Sequence, residues 1–251
     1  RLGLLLAGTT AFMWGVLPIA LKGVMQTLDP VTTTFFRFAI AAALLTPYLL
    51  VHHKLVNRHK LSHTKHRLQF LAAGGLLTAN YALYIFGLER TSAEAAQVMM
   101  QIAPVLLLLA GVWVFKERFS PIQWLGFATF SGGLLMFFSH RFVDIFVSLN
   151  DYGIGLLMIS AAATTWVGYA IIQKFLLREF NAEETMLVFY WIGASAFLPF
   201  SNFSLLSELT FIQWLLLVFC GLNTLIAYGC FSEALMPVSY THLRAHETEE
   251  N

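Results

Sequence analysis

Charged residues are scarce in this chain. Aspartate, glutamate, lysine and arginine together make up 12% of its 251 residues, whereas hydrophobic residues make up 58% and the mean hydropathy is +0.69. About a quarter of the residues in a typical soluble domain are charged, so this composition excludes an ordinary soluble fold and places the chain in a lipid bilayer. The net charge of only +1 gives no basis for a nucleic-acid partner.

Cysteines and catalytic motifs are also few. Cys220 and Cys230 lie ten residues apart, about 15 Å along a helix, which is too far for a disulfide bond between them. The sequence contains no H-E-x-x-H motif, no G-x-S-x-G motif and no pair of carboxylates in the middle of an apolar segment. An intramembrane enzyme is therefore disfavoured, and we expect neither catalytic residues nor a cofactor.

A group of five histidines is a possible set of metal ligands. It consists of His52, His53, His59, His63 and His66. No cysteine or carboxylate joins these histidines in the same segment, whereas zinc sites bring together three or four ligands. We therefore expect a solvated, partly titrating loop and no metal site.

Long apolar segments are abundant. Seven stretches of 20 to 24 residues contain no aspartate, glutamate, lysine or arginine, and the segment 30–51 contains only Arg37. Because a helix needs about 20 apolar residues to cross roughly 30 Å of hydrocarbon, the pattern predicts an all-α integral membrane fold with about eight spans. Their approximate bounds are 2–22, 31–51, 69–88, 94–115, 121–139, 153–174, 184–200 and 211–232.

Residues typical of helix N-termini precede four of these spans. They are Asp29 before Pro30, Ser120 with Gln123, Asn181 with Glu184, and Thr210 with Gln213. The side chains of such residues accept hydrogen bonds from the first free N–H groups of a helix, and glutamate or glutamine three residues later completes a capping box. We expect helices to begin at all four places.

Several residues recur at a constant offset of 152 positions. The pairs are Trp14 and Trp166, Lys22 and Lys174, and Pro47 and Pro199. About five predicted spans separate the two copies, and an odd number of spans inverts the second copy in the membrane. Inverted repeats are typical of transporters. We expect a first five-helix repeat over residues 1–141 and a second over 152–239.

The distribution of lysine and arginine predicts the orientation. With a cytoplasmic N-terminus, the inner loops hold ten lysines and arginines and the outer loops hold three. The positive-inside rule therefore predicts a multi-pass protein of the inner (plasma) membrane with its N-terminus in the cytoplasm. The basic loop 52–67 would face anionic membrane lipid.

Six short motifs occur in a fixed order. They are AFMWG at 11–15, FRF at 36–38, LERTSAEAA at 88–96, PV at 104–105, KERFS at 116–120 and QWLG at 123–126. As an ordered set they resemble the EamA-type drug/metabolite transporter superfamily. That resemblance implies ten helices in two five-helix inverted repeats, a small-molecule substrate, transport that is often outward, and a possible homodimer.

The resemblance extends over about residues 2–239 and stops there. Residues 240–251 are polar, cannot span a membrane and resemble a translated adapter or vector string, and the chain begins with Arg1. We expect a fragment that ends after the eighth helix, with helices nine and ten missing and a non-native tail at 240–251.

The fourth predicted span carries a polar stripe. Glu94, Gln97, Gln101 and Pro104 follow one another at spacings of three, four and three, which places them within about 80° of arc on a helix. Lipid would penalise that face, so we expect it to face other helices or a cavity. Glu94 has a competing role in a capping box over 91–94. Interhelical hydrogen bonding without a ligand is the alternative for the glutamines.

Arg37 is the second candidate, because an intramembrane charge is functional by default. It lies about 10 Å below the outer start of its helix. The alternative is that its side chain extends to the outer surface or binds neighbouring carbonyls.

Aromatic and amide residues on other spans complete the candidate substrate pathway. They are Trp14, Asn80, Tyr81, Tyr84, Trp166 and Tyr169. Ligand contact competes here with interfacial placement and with packing between the repeats. By its resemblance to drug/metabolite transporters, the chain is expected to be a secondary transporter that exports a small polar or zwitterionic metabolite, amino-acid-like or drug-like, with these residues along the substrate pathway. A passive facilitator or channel is the alternative, because no carboxylate lies deep enough to carry a proton convincingly.

Overall fold

The computed structural model describes residues 2–52, 63–114, 116, 118–139 and 150–235. Within these ranges the protein consists of nine α-helices and two short 3-10 turns, without strands. The α-helices are α1 (Leu2–Val24), α2 (Pro30–Val51), α3 (Thr64–Arg90), α4 (Ala93–Met99), α5 (Ile102–Trp113), α6 (Pro121–Ser139), α7 (Asp151–Leu176), α8 (Ala182–Phe197) and α9 (Phe211–Leu235). The expected all-α fold is confirmed.

Six helical segments in the described part of the chain are long and apolar enough to cross a membrane. They are Leu5–Val24, Pro30–Val51, Thr64–Arg90, Ala93–Trp113, Asp151–Leu176 and Phe211–Ala234. The other two predicted spans are helical as well. They form α6, with 19 residues, and α8, with 16 residues followed by a 3-10 turn.

Capping residues lie at the helix N-termini as predicted. The Asp29 side chain accepts a hydrogen bond from the Thr32 N–H at 2.9 Å, and Asn181 forms a capping box with Glu184. Before α9, the backbone N–H of Thr210 donates to Gln213 at 3.0 Å. These bonds satisfy N–H groups that have no partner inside the helix.

The capping box expected over residues 91–94 is wrong. Thr91 ends α3, and its hydroxyl donates to the Gly87 carbonyl at 2.8 Å. Ser92 caps α4 instead, because its hydroxyl accepts from the Ala95 N–H at 3.2 Å. Glu94 therefore lies in the first turn of α4, where a negative charge favours the helix dipole.

The span expected over 94–115 is present as Ala93–Trp113, but its helix is not continuous, because it is interrupted between α4 and α5 at Met100 and Gln101. Pro104, three residues beyond the break, has no N–H to donate to the Met100 carbonyl, and its ring would clash with that carbonyl in a continuous helix. The Met100 carbonyl accepts from the Ala103 N–H at 3.0 Å instead. The break places Gln101 at a helix end in the middle of a membrane span.

Small residues let the helices approach closely. α3 packs along α7, α1 packs along α9, and α2 packs against both α8 and α9. Gly87 and Gly155 mark the crossing of α3 and α7: a Cβ atom at Gly87 would lie 2.8 Å from the Gly155 carbonyl oxygen. Close backbone approach at glycine is a common basis for helix association in membranes.

Two buried asparagines join the same helix pairs through backbone carbonyls. Asn80 on α3 donates to the Ala162 carbonyl of α7 at 2.8 Å, and Asn223 on α9 donates to the Met13 carbonyl of α1 at 2.6 Å. Hydrogen bonds between helices replace water as partners for polar side chains in a bilayer. These bonds therefore tie α3 to α7 and α1 to α9.

Several expectations concern residues at the edge of the described ranges or beyond them. The tail 240–251 and the histidines His53 and His59 lie outside those ranges. His66 is buried, and its Nε2 lies 3.1 Å from a carboxylate oxygen of Glu179. Cys220 and Cys230 are free thiols, as their spacing predicted.

Candidate functional site

A cavity of about 420 Å³ lies at the centre of the helix bundle, between α1, α2, α3, the α4–α5 break, α7 and α9. Its lining residues are Ala7, Thr10, Ala11, Trp14, Leu17, Arg37, Asn80, Tyr81, Tyr84, Gln97, Met100, Gln101, Ala103, Pro104, Trp166, Tyr228, Phe231 and Ala234. Ala7, Ala11, Pro104 and Ala234 are exposed, so the cavity reaches the protein surface beside small side chains and a proline. Its volume falls in the range of small-molecule sites, roughly 300–1,000 Å³.

Four aromatic residues form one wall, which we call the aromatic box: Trp14, Trp166, Tyr228 and Phe231. The ring centroids of Trp14 lie 5.6 Å from Trp166, 5.3 Å from Tyr228 and 5.6 Å from Phe231, and those of Trp166 and Phe231 are 5.0 Å apart. These separations are typical of favourable edge-to-face and tilted aromatic pairs. The box joins α1, α7 and α9 around apolar space.

Three amide side chains contribute polar groups to the cavity. Asn80 donates to the Ala162 carbonyl and is buried, while Gln97 and Gln101 are half-buried. The Gln101 amide is 3.4 Å from the Gln97 carbonyl, a long hydrogen bond that leaves much of its capacity for another partner. The α4–α5 break therefore presents both glutamines to the cavity.

Arg37 also lines the cavity, from α2. Its side chain is buried with 3% exposure, and its guanidinium carbon lies 4.2 Å from the centroid of the Tyr81 ring. The Nε atom donates to the Thr224 hydroxyl at 3.4 Å. The side chain therefore turns inward, away from the outer membrane surface that the sequence left open as an alternative.

Eight of the ten predicted site residues line this cavity. They are Trp14, Arg37, Asn80, Tyr81, Tyr84, Gln97, Gln101 and Trp166. Glu94 does not line it, because its side chain is exposed in the first turn of α4. Tyr169 is fully buried outside it, with its hydroxyl 3.5 Å from the Met186 sulfur. The role of the whole set in substrate passage remains a prediction.

Tyr228 and Phe231 are cavity residues that the sequence reasoning missed. They lie three residues apart, so both project from one face of α9. The sequence did contain a signal for these two residues. The repeat relates the spans that carry Trp14 and Trp166, and the last predicted span has an aromatic face that could pack against them. That signal becomes specific only when α9 is known to pack on α1.

The chemistry of the cavity suits binding. Among the described residues that line it, none is an aspartate or a glutamate, and Arg37 is the only charged one. Within the described ranges, no three histidine, cysteine, aspartate or glutamate side chains meet in a group that could hold a metal ion. The arrangement can enclose an apolar body, donate and accept hydrogen bonds through amides, and offer one positive charge.

Comparison with known proteins assigns the chain to a family. Residues 1–139 and 153–243 match the family model described as the EamA-like transporter family. The chain belongs to that family. The EamA-like chain is also 36% identical, over 234 residues, to the "uncharacterized inner membrane transporter YhbE" of Escherichia coli K12, an alignment that covers 93% of this chain and 73% of the relative.

A second relative and a solved structure are also similar to this chain. An "uncharacterized transporter" of Haemophilus influenzae is 36% identical over 93% of this chain and 76% of its own length. A solved crystal structure at 19% sequence identity covers 93% of this chain and 79% of its own with a TM-score of 0.67, a likeness that shows the fold alone. This EamA-like protein is thus a transmembrane transporter.

Proposed function

We propose that this EamA-like transporter is a secondary carrier that exports a small polar or zwitterionic metabolite, amino-acid-like or drug-like, across the inner membrane. The cavity between α1, α2, α3, the α4–α5 break, α7 and α9 is the substrate site. The observation that supports this most directly is the composition of its walls, which combine the apolar aromatic box with the amides of Gln97 and Gln101. Ligand sites typically combine apolar walls with a few polar groups that orient the ligand.

The position of the cavity supports transport by alternating access. Its walls come from helices of both predicted repeats, and Trp14 of the first touches Trp166 of the second at 5.6 Å. Rocking one repeat against the other would change this contact and reshape the cavity. The broken span at Met100 and Gln101 adds to the proposal, since discontinuous helices near the bilayer midplane form substrate sites in many transporters.

The orientation is part of the proposal. With the N-terminus in the cytoplasm, as the lysine and arginine distribution predicts, the cavity extends from Ala7 and Ala234 on the inner side to Gln97 on the outer side. Outward transport would then load a metabolite beside Ala7 and Ala234 and release it beside Gln97.

A facilitator is the second candidate. The lining residues that the structure describes include no carboxylate that could carry a proton in the cavity. Substrate would then move down its own gradient without coupling. Both candidates use the same cavity, and kinetics separates them.

Counterflow in proteoliposomes tests the proposal. Vesicles with the purified protein are loaded with one unlabelled compound from a panel of amino acids and small drugs, and uptake of its labelled form is followed. A carrier gives transient accumulation above equilibrium, whereas an open facilitator does not. Trp166→Ala, which opens the aromatic box, should reduce uptake, and Trp113→Ala, at a tryptophan with 68% exposure, is the matched control. If no compound shows saturable uptake, or if both variants behave alike, the proposed site is wrong.

A further inference from the structure

Arg37 carries a buried positive charge. A site that only formed hydrogen bonds to a polar metabolite would not need such a charge. It lies in the membrane-spanning part of α2, with 3% exposure, on the wall of the central cavity. An arginine side chain stays protonated in proteins. An ionised group at this depth is costly, so membrane proteins keep one where it has a function or a compensating partner.

The contacts of Arg37 within the described ranges compensate its charge only in part. One edge of the guanidinium donates from Nε to the Thr224 hydroxyl at 3.4 Å, and one face lies 4.2 Å from the Tyr81 ring centroid. The Tyr81 hydroxyl also forms a hydrogen bond with the guanidinium, yet at least one N–H donor stays available on each of its two terminal amino groups, and no described carboxylate lies within ion-pair distance. These two groups form a planar fork that fits the two oxygens of a carboxylate or a phosphate.

We propose that Arg37 binds the acidic group of the transported molecule, and that the substrates are small organic acids with an apolar or aromatic body. This inference rests on the proposed function, because it assigns a chemical class to the same cavity. Thr224 and Tyr81 act as positioning residues that hold the guanidinium by one edge and one face. The acidic group supplies the counter-charge that the described residues do not provide.

The aromatic wall accounts for the rest of the molecule. Tyr81 lies under the guanidinium, its ring centroid is 5.8 Å from that of Tyr228, and Tyr228 is 5.3 Å from Trp14. A body extending from Arg37 therefore runs along aromatic faces into the aromatic box, where its apolar surface is removed from water.

An amino group on the substrate gains little in this cavity. Among the described lining residues it would meet aromatic faces and amides but no carboxylate, and the fixed charge of Arg37 would repel it. The acid is thus the required group, and a zwitterion is accepted through its carboxylate alone.

Four ligands of nearly equal shape test the charge requirement. They are 3-phenylpropionate, phenylalanine, 3-phenylpropanamide and phenethylamine, and binding to the purified protein is followed by quenching of tryptophan fluorescence, since Trp14 and Trp166 line the cavity. The two carboxylates should bind about tenfold or more tightly than the amide and the amine, because charge-assisted bonds to a buried cation are lost without the acid.

Variants locate the effect. Arg37→Gln should remove the preference for the acid over its amide, and Arg37→Lys should keep the preference with weaker affinity, because the charge remains and the fork is lost. Arg178→Gln is the matched control: this arginine is exposed, lies 5.0 Å from the Phe175 ring and is outside the cavity. If Arg37→Gln does not fold, Arg37→Lys and the ligand series on the unchanged protein still test whether Arg37 binds the acidic group.

The outcomes separate this inference from the proposed function. Preference for the amide or the amine, or an unchanged acid preference in Arg37→Gln, overturns the role of Arg37 while leaving a transporter with a substrate of another class. Counterflow of such a substrate would then uphold the proposed function by itself. Absence of binding and of counterflow for every ligand overturns both.

Discussion

Replacing Gly87 with alanine tests whether the close approach of α3 and α7 supports the fold. A Cβ atom at this position would lie 2.6 Å from Cγ1 of Ile159 and 2.8 Å from the carbonyl oxygen of Gly155. The isoleucine side chain can rotate away, but the carbonyl belongs to the backbone of α7. The two helices must therefore separate locally.

The expected magnitude follows from two opposing effects. Overpacking of a tight site costs about 1–3 kcal/mol, and the backbone contact favours the upper part of that range. Alanine regains at most about 1 kcal/mol over glycine in helix propensity. We expect Gly87→Ala to lower the free energy of unfolding by about 1–2 kcal/mol.

Gly75, on the same helix, provides the control. It is exposed, and a Cβ atom there would meet nothing within 4 Å, so Gly75→Ala should raise stability by up to about 1 kcal/mol. Unfolding in mixed detergent and sodium dodecyl sulfate micelles, followed by circular dichroism, measures both variants. Equal effects at the two positions, or a stable Gly87→Ala, would show that the α3–α7 crossing adjusts freely and that the packing argument fails.

Three further predictions concern binding, orientation and helix association. Gln101→Leu should weaken binding of a polar substrate several-fold, on the order of 1 kcal/mol, with expression unchanged. If the variant instead fails to fold while the molecules that do fold bind with normal affinity, Gln101 stabilises helix association and does not bind substrate. A cysteine label near His59 should react only from the cytoplasm and one near Asn202 from outside; labelling at Asn202 only after lysis would reject the orientation and the inverted repeat. Asn223→Leu removes the 2.6 Å bond to the Met13 carbonyl and should lower stability in the same detergent titration by about 0.6–1.7 kcal/mol; no loss would mean that α1 and α9 associate through packing alone.

The helices were predictable because their signals are local. Apolar length defines the spans, and side chains such as Asp29 and Asn181 bond to N–H groups only a few residues away. The break at Gln101 was missed although Pro104 is plain in the sequence. Proline in a membrane helix can be accommodated by a kink or by a break, and the surrounding helices decide which occurs.

The candidate site was predictable to the extent that it depends on helix faces. The three- and four-residue spacing of Gln97 and Gln101 places both on one side of a helix, and both line the cavity. Tyr228 and Phe231 share a face in the same way, but the helix they face was not evident from their own segment. The repeat predicted which spans correspond, not which surfaces meet.

For Arg37, the sequence determines the position of the residue in the membrane, and the tertiary structure determines what its side chain contacts. Its place on a membrane-spanning helix, and hence its cost in lipid, follows from the sequence alone, as do the all-α fold and the number of apolar segments. At a depth of about 10 Å its flexible side chain could reach either the membrane surface or the protein interior. Packing decided the outcome, because Thr224 from α9 and Tyr81 from α3 provide a hydroxyl and a ring beside the guanidinium. Those two residues lie far from Arg37 along the chain, so only the folded bundle brings them together.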